Sequence, residues 1–165
     1  MRRGLLGGDL AAPLVGFART GGCVPAAERC IDVNASPETL FEVITSYADY
    51  PEFLPEIESA SVVAESDGAK RVRFVLNIVK RVRYTLELVE DSPRSVRWTL
   101  IDGDLRANSG SWTLERLPDG VRATYRVDVE VGIFVPGAIV SRLVGETLPA
   151  TLQAFARRAE ARSSS

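Results

Sequence analysis

The 165-residue chain contains no histidine, and that single gap removes a large share of familiar chemistry. Ser-His-Asp and Cys-His catalysis, histidine metal sites and histidine pH switches all need an imidazole. Two cysteines, Cys23 and Cys30, are too few for a zinc site or a disulfide framework, and unpaired thiols are the expectation for a reducing compartment. Charge of one sign is not in excess either: 20 basic residues face 22 acidic ones, and only Lys70 and Lys80 of the basic set are lysine. Nucleic acid is therefore not an expected partner. No run reaches the roughly 18 uninterrupted apolar residues of a membrane-spanning helix, so a cytoplasmic protein is expected. Neither a metal nor a cofactor is expected.

What is present is ordinary globular material, with 45% apolar and 25% charged residues. The length suits one domain, able to bury roughly two thirds of its unfolded surface. Residues 1–27 are rich in Gly, Ala and Pro without a sustained period, and are expected to form a flexible leader outside the fold. Arg2 and Arg3 before an apolar stretch faintly imitate an export signal, but Asp9 and the glycines interrupt it. The domain is expected over residues 28–162, with 163–165 as a tail.

Structure is predicted to begin with a short strand over Glu28–Asn34. Ser36-Pro37-Glu38 then reads as a helix start, with a capping hydroxyl, a proline at the first position and an acid at the positive dipole end. Leu40, Val43, Ile44 and Tyr47 follow at helical spacing and form its inward face. Between Tyr50 and Pro55 the prolines leave room for one short helical turn.

From Ile57 to Val131 the chain alternates as an antiparallel sheet does when one face is buried. Ser66-Asp67-Gly68, Asp91-Ser92-Pro93, Asp102-Gly103-Asp104 and Pro118-Asp119-Gly120 punctuate it as turns. Val72, Phe74, Leu76 and Ile78 share a side, as do Val82, Tyr84, Leu86 and Leu88. Preserved parity predicts a three-residue turn at Val79-Lys80-Arg81, with one long bent strand as the alternative. A last helix is expected from Pro136 to Arg162, kinked where Pro149 crowds the carbonyl of Gly145. A twisted sheet followed by one long helix predicts an α+β fold in which a curved sheet of about seven strands grips that helix.

That order of elements resembles the helix-grip fold of the START/Bet v 1-like (SRPBCC) superfamily. The likeness is greatest to its small coenzyme Q-binding and polyketide cyclase/dehydrase-like branch. It covers roughly residues 28–161, and its most specific string is Tyr50-Pro51-Glu52-Phe53-Leu54-Pro55. Gly110-Ser111-Trp112 and the terminal helix ending Ala154–Ala161 add to it. The chain departs from the branch at Glu56-Ile57, where an aromatic-cysteine pair is common, and at Asp104-Leu105, where Pro-Phe is common.

The resemblance implies a pocket between sheet and helix for a hydrophobic small molecule, lipid-like or polyprenyl-quinone-like. Its expected contacts are Phe53, Phe74, Leu76, Tyr84, Leu86, Trp98, Leu100, Asn108, Trp112, Tyr125, Val127, Phe134 and Leu143. The same aromatic side chains also serve as plain core, and both readings stand. Arg106 shares the parity of Asn108, so it is expected to point inward and to need Asp102, Glu146 or a ligand as partner. A cyclase or dehydratase is the alternative function, with Arg106 holding an enolate and Tyr84 or Tyr125 relaying a proton. A ribosome-associating interaction protein is a third.

Asp102-Gly103-Asp104 lacks the further acids of a calcium loop and reads as a turn. Outward Arg71, Arg73, Arg83 and Arg97, with Lys80 and Arg81, can meet anionic headgroups in a transient membrane contact. Glu87, Glu115, Asp128 and Glu130 on the same face favour a solvated mixed surface. Tyr50–Pro55 and Gly132–Gly137 are candidate gating loops. Nothing in the sequence sets the oligomeric state.

Overall fold

Alternating apolar and polar residues build seven antiparallel strands: β1 (Cys23–Val33), β2 (Ile57–Ser66), β3 (Ala69–Asn77), β4 (Arg81–Asp91), β5 (Ser95–Gly103), β6 (Leu105–Leu117) and β7 (Gly120–Val131). The structure is a computed structural model that describes residues 23–78, 80–131 and 136–165, with side chains left out at 23–26, 140, 143 and 144. The strands form one sheet in the order β1-β7-β6-β5-β4-β3-β2. Consecutive strands from β2 to β7 are neighbours, and β1 closes against β7.

Each turn follows from its residues. Asp67 and Gly68 both take positive φ, +40° and +81°, which gives the β2–β3 hairpin a twist matching its strands. Asn77 pairs with Arg81, so β3 and β4 are joined by a three-residue turn one position earlier than expected; Val79 within it lies outside the described residues. At the β5–β6 corner Gly103 has φ +125°, and the Asp104 carboxylate accepts a 2.8 Å bond from the Arg83 N–H. That loop is a turn, as expected.

Ladder irregularities bend the sheet. They occur between Val24 and Ala27, Ile57 and Ser59, Val62 and Ala64, Thr85 and Leu86, and Leu105 and Ala107. An extra residue on one strand increases local twist, so five such sites curl the sheet towards its apolar face.

Helix α1 (Pro37–Thr45) starts as its sequence dictates: the Ser36 hydroxyl accepts from the Thr39 N–H at 3.1 Å, and Pro37 needs no partner. It buries Leu40, Val43 and Ile44. A 3-10 turn (Tyr47–Asp49) and α2 (Tyr50–Phe53) follow, within the single-turn limit set by the prolines.

The C-terminal segment differs from one kinked helix. It comprises α3 (Gly137–Arg142), a π-helical turn (Leu143–Thr147) and α4 (Leu148–Ser163). The wider turn comes just before Pro149, which then sits in the first turn of α4, where its missing N–H breaks no helical bond. Leu152, Phe155 and Ala159 of α4 are buried against the concave sheet, so the sheet grips this helix.

One boundary is corrected. β1 begins at Cys23, not Glu28, and Ala27 is buried within the fold. Pro25 lies at the Val24/Ala27 irregularity of an edge strand, where a residue without N–H is tolerated; that proline is why the segment reads as leader. Residues 1–22 lie outside the described residues.

Arg158 and Arg162 of α4 reach across to α2 and the turn before it. Arg158 meets Glu52 at 2.5 Å and Asp49 at 3.6 Å and lies 4.8 Å above the Phe53 ring, and Arg162 meets Asp49 at 3.3 Å. Arg158→Ala is expected to lower the free energy of urea unfolding by about 1–2 kcal/mol, from lost cation–π contact and partly buried pairing. An unchanged midpoint would mean the clasp contributes nothing.

Candidate functional site

Burial falls along the inward faces of three strands towards the same end of the sheet. On β3 it runs from Val72 and Phe74, both buried, through half-buried Leu76 to Ile78, one residue past the strand, at 42% exposure. On β4 it runs from Leu88 and Leu86 to half-buried Tyr84 and Val82, and on β7 from Val121 and Ala123 to Tyr125, Val127, Val129 and Val131. Register places these open ends together, since Phe74 pairs with Tyr84 and Leu76 with Val82. At one end the inward side chains meet as solid core. At the other they stop short of one another.

The space left is a cavity of about 360 Å3 between sheet, α1, α2 and α4. Its wall is mostly aliphatic, with a connected set of aromatic rings. Phe74 stacks on Tyr84 at 5.6 Å, Trp98 meets Tyr125 at 5.6 Å, and Trp112 contacts Tyr125 at 4.8 Å and Phe155 at 5.2 Å. Tyr50 joins the Phe74 and Phe155 sides, at 6.1 and 5.3 Å. Both tryptophans of the chain, Trp98 and Trp112, line the cavity.

The polar groups are few, and Tyr47, Tyr50, Trp98 and Thr151 are held by protein acceptors. Tyr50 donates to the Ile44 carbonyl at 2.5 Å and Tyr47 to the Glu90 carboxylate at 2.9 Å. The Trp98 indole N–H donates to Asn108 Oδ1 at 3.0 Å. Among the described residues, the Tyr84 and Tyr125 hydroxyls have no hydrogen-bond partner, and Glu56 is the single carboxylate in the lining. Burial pushes all four tyrosines above the usual phenol range, with neighbouring phenols adding to the effect at Tyr47, Tyr50 and Tyr84 and the Glu90 carboxylate adding at Tyr47 and Tyr50.

Of the residues expected at the site, the cavity is lined by Phe74, Leu76, Tyr84, Leu86, Trp98, Asn108, Trp112, Tyr125 and Val127. Three expectations are corrected. Arg106 points outward, with its side chain 67% exposed and 3.8 Å from Glu130, because the Leu105/Ala107 irregularity breaks the parity that Asn108 and Trp112 keep. Phe53 is not in the wall but behind it, against Phe155 at 5.1 Å. Leu100 falls past the last β5–β6 pair, Thr99 with Ser109, where β5 follows β4 alone. Phe134 and the rest of the segment 132–135 lie outside the described residues, as does the side chain of Leu143.

Sequence parity on the strands missed the lining from elsewhere, Ile44, Tyr47, Tyr50, Leu54, Glu56, Thr147, Leu148, Thr151 and Phe155, and also Ala27 of β1. Tyr47 and Phe155 did carry a signal, since both stand on inward helical stripes. Gly110 was missed in a different way. It pairs with Trp98 across β5 and β6, and the indole lies over the space where a side chain would be.

The outer face is a lattice of opposite charges, including Arg81 with Glu58 at 2.9 Å, Arg122 with Asp32 at 2.8 Å and Arg71 with Glu87 at 3.5 Å. Among the described residues no helix is long and apolar enough to cross a membrane.

Known proteins share this design. A protein from Thermus thermophilus is 25% identical, with a TM-score of 0.73 over 84% of this chain and 99% of that one. The Zhui aromatase/cyclase from a Streptomyces species is 19% identical, with a TM-score of 0.73 over 83% of this chain and 94% of its own. A START superfamily protein from Mycobacterium smegmatis is 24% identical, with a TM-score of 0.70 over 84% and 97%. No curated protein sequence gives a significant match. The profile of the family described as polyketide cyclase / dehydrase and lipid transport matches residues 33–156, from the last residue of β1 into α4. With the seven-stranded sheet, the gripped helix and the apolar cavity, the chain belongs to that family and has the START-like helix-grip fold.

Proposed function

We propose that the chain binds or carries a hydrophobic small molecule in the cavity between sheet and α4, without making or breaking covalent bonds. The observation that carries this reading is the cavity wall: about 360 Å3 enclosed mainly by aromatic and aliphatic side chains, with no Lys or Arg among its described lining residues. Burying apolar ligand surface at roughly 25 cal/mol per Å2 supplies affinity without a reactive group. The proposed contacts are Phe74, Leu76, Tyr84, Leu86, Trp98, Asn108, Trp112, Tyr125 and Val127. A polyprenyl quinone remains within this class, with its ring in the cavity.

The cyclase reading draws support from the family and from the structural likeness to an aromatase/cyclase, and it places Tyr84 and Tyr125 against a bound chain. It is the weaker reading on this wall. Its proposed enolate holder, Arg106, is on the far face, and both phenols are held protonated by burial. They are suited to donate hydrogen bonds, not to remove protons at neutral pH.

The test uses N-phenyl-1-naphthylamine, a neutral apolar fluorophore. Saturable binding at one site, with its emission excited through Trp98 and Trp112, is expected. Val127→Trp fills the cavity from β7 and should weaken that binding at least about tenfold while the fold is retained. Absence of saturable binding, or equal affinity in Val127→Trp, would remove the reading.

A further inference from the structure

The polar groups in the described cavity wall without a protein partner include an amide NH2 and two phenols, all able to donate. An indole N–H can only donate, so the 3.0 Å bond from Trp98 fixes Asn108 Oδ1 as its acceptor. The NH2 end of that amide is thereby turned to the other side. Asn108 is only 7% exposed, it lines the cavity, and its NH2 has no partner among the described residues. That NH2 is not enclosed by protein but opens onto the cavity, where an acceptor on a bound ligand is its natural partner. The Tyr84 and Tyr125 hydroxyls also lack a partner among the described residues, and both remain protonated.

We propose that the Trp98–Asn108 pair is a carbonyl-recognition site, and that the ligand is a neutral molecule carrying a ketone-type oxygen on an apolar, ring-bearing body. The inference rests on the hydrophobic-ligand reading and narrows it. The amide donates to the carbonyl oxygen, and Tyr125, whose ring lies 5.6 Å from that of Trp98, is a further donor on the same wall. Anionic headgroups are disfavoured, because the described lining offers no cation and includes the Glu56 carboxylate. Pure hydrocarbons bind but leave the amide hydrogens unmet. Trp98 acts here as a positioning residue: its N–H decides which end of the Asn108 amide the ligand meets.

Three probes of one size separate these possibilities by equilibrium dialysis with the full chain: 2-ethylnaphthalene, 2-acetylnaphthalene and 2-naphthoate. Asn108→Leu is expected to weaken the ketone about tenfold, the scale of one hydrogen bond in a buried site, and to leave the hydrocarbon unchanged or slightly tighter. A measurement on the unaltered protein guards against misfolding of that variant. The infrared carbonyl stretch of bound, carbon-13-labelled 2-acetylnaphthalene should lie below its position in an alkane solvent. If the hydrocarbon does not bind at all, the hydrophobic-ligand reading fails and this inference with it. Where the hydrocarbon binds but the stretch is alkane-like, or Asn108→Leu weakens both neutral probes equally, the carbonyl site alone is wrong. Tightest binding by naphthoate would also overturn it.

Discussion

In an alkaline titration the four tyrosines are expected to stay protonated well beyond pH 10, then to ionise together in one cooperative step as the protein unfolds. All four, Tyr47, Tyr50, Tyr84 and Tyr125, line the cavity, and each is pushed above the ordinary phenol value by burial. The sign follows from linkage. The folded pKa lies above the unfolded one, so below pH 10 both states are neutral at these groups and stability is unaffected. Above pH 10 the unfolded chain loses protons that the folded chain keeps, and stability falls by about 1.4 kcal/mol per pH unit for each tyrosine. Four such groups together remove about 5.5 kcal/mol per unit, against a total stability of about 5–15 kcal/mol for a domain. Unfolding is therefore expected within about one to three units above pH 10. Tyrosinate absorbance and far-ultraviolet circular dichroism should change together. A gradual rise in tyrosinate centred near pH 10 with the fold intact would contradict the enclosed aromatic set.

Gly110→Ala should be strongly damaging for the addition of a single methyl group. The backbone at Gly110 is open to any residue, so the constraint is space. A β-carbon there would overlap the Arg126 carbonyl on β7 and the six-membered ring of Trp98 on β5. The carbonyl belongs to the β6–β7 ladder and cannot withdraw without breaking pairing. Trp98 can turn away only by giving up its bond to Asn108. A loss of about 2–4 kcal/mol is expected, at the upper end for overpacking, read from chemical denaturation. Adding Trp98→Phe should recover part of the loss, since the smaller ring relieves one clash and leaves the other. Full stability in Gly110→Ala would show that the indole does not lie over the glycine. In a sheet, a glycine covered by a cross-strand aromatic is also a register pin. That role gives the Gly110-Ser111-Trp112 string a physical meaning beyond family likeness.

Much of this architecture is written in local chemistry. Asp67-Gly68, Gly103 and Gly120 mark turns because their positions need positive φ or close approach, and Ser36-Pro37 starts a helix for reasons confined to four residues. The alternation on β3, β4 and β7 identifies the inward side chains, and nine of the expected contacts do line the cavity. What alternation does not encode is where inward residues stop touching. Val72 and Leu76 have the same parity and chemistry, yet one is solid core and the other cavity wall, because separation of sheet from helix depends on curvature. That curvature comes from the ladder irregularities. Arg106 shows the cost of ignoring them: one bulge beside Leu105 turns a supposed catalytic cation out to Glu130. The π-helical turn is a similar case, since Pro149 announces a disturbance but not its form.

The absence of histidine gains weight from this geometry. The polar side chains lining the described cavity are phenols, hydroxyls, two indole N–H groups, one amide and one carboxylate, and Tyr47, Tyr50, Trp98 and Thr151 already have protein acceptors. Such a wall orients a molecule and shields it from water. The direct measurement is mass spectrometry of the protein purified gently from cells, with small molecules extracted after denaturation. The expected result is a neutral, carbonyl-bearing apolar compound that co-purifies with the unaltered protein and is lost from Val127→Trp. An extract with no such compound, from a protein that also refuses N-phenyl-1-naphthylamine, would contradict it.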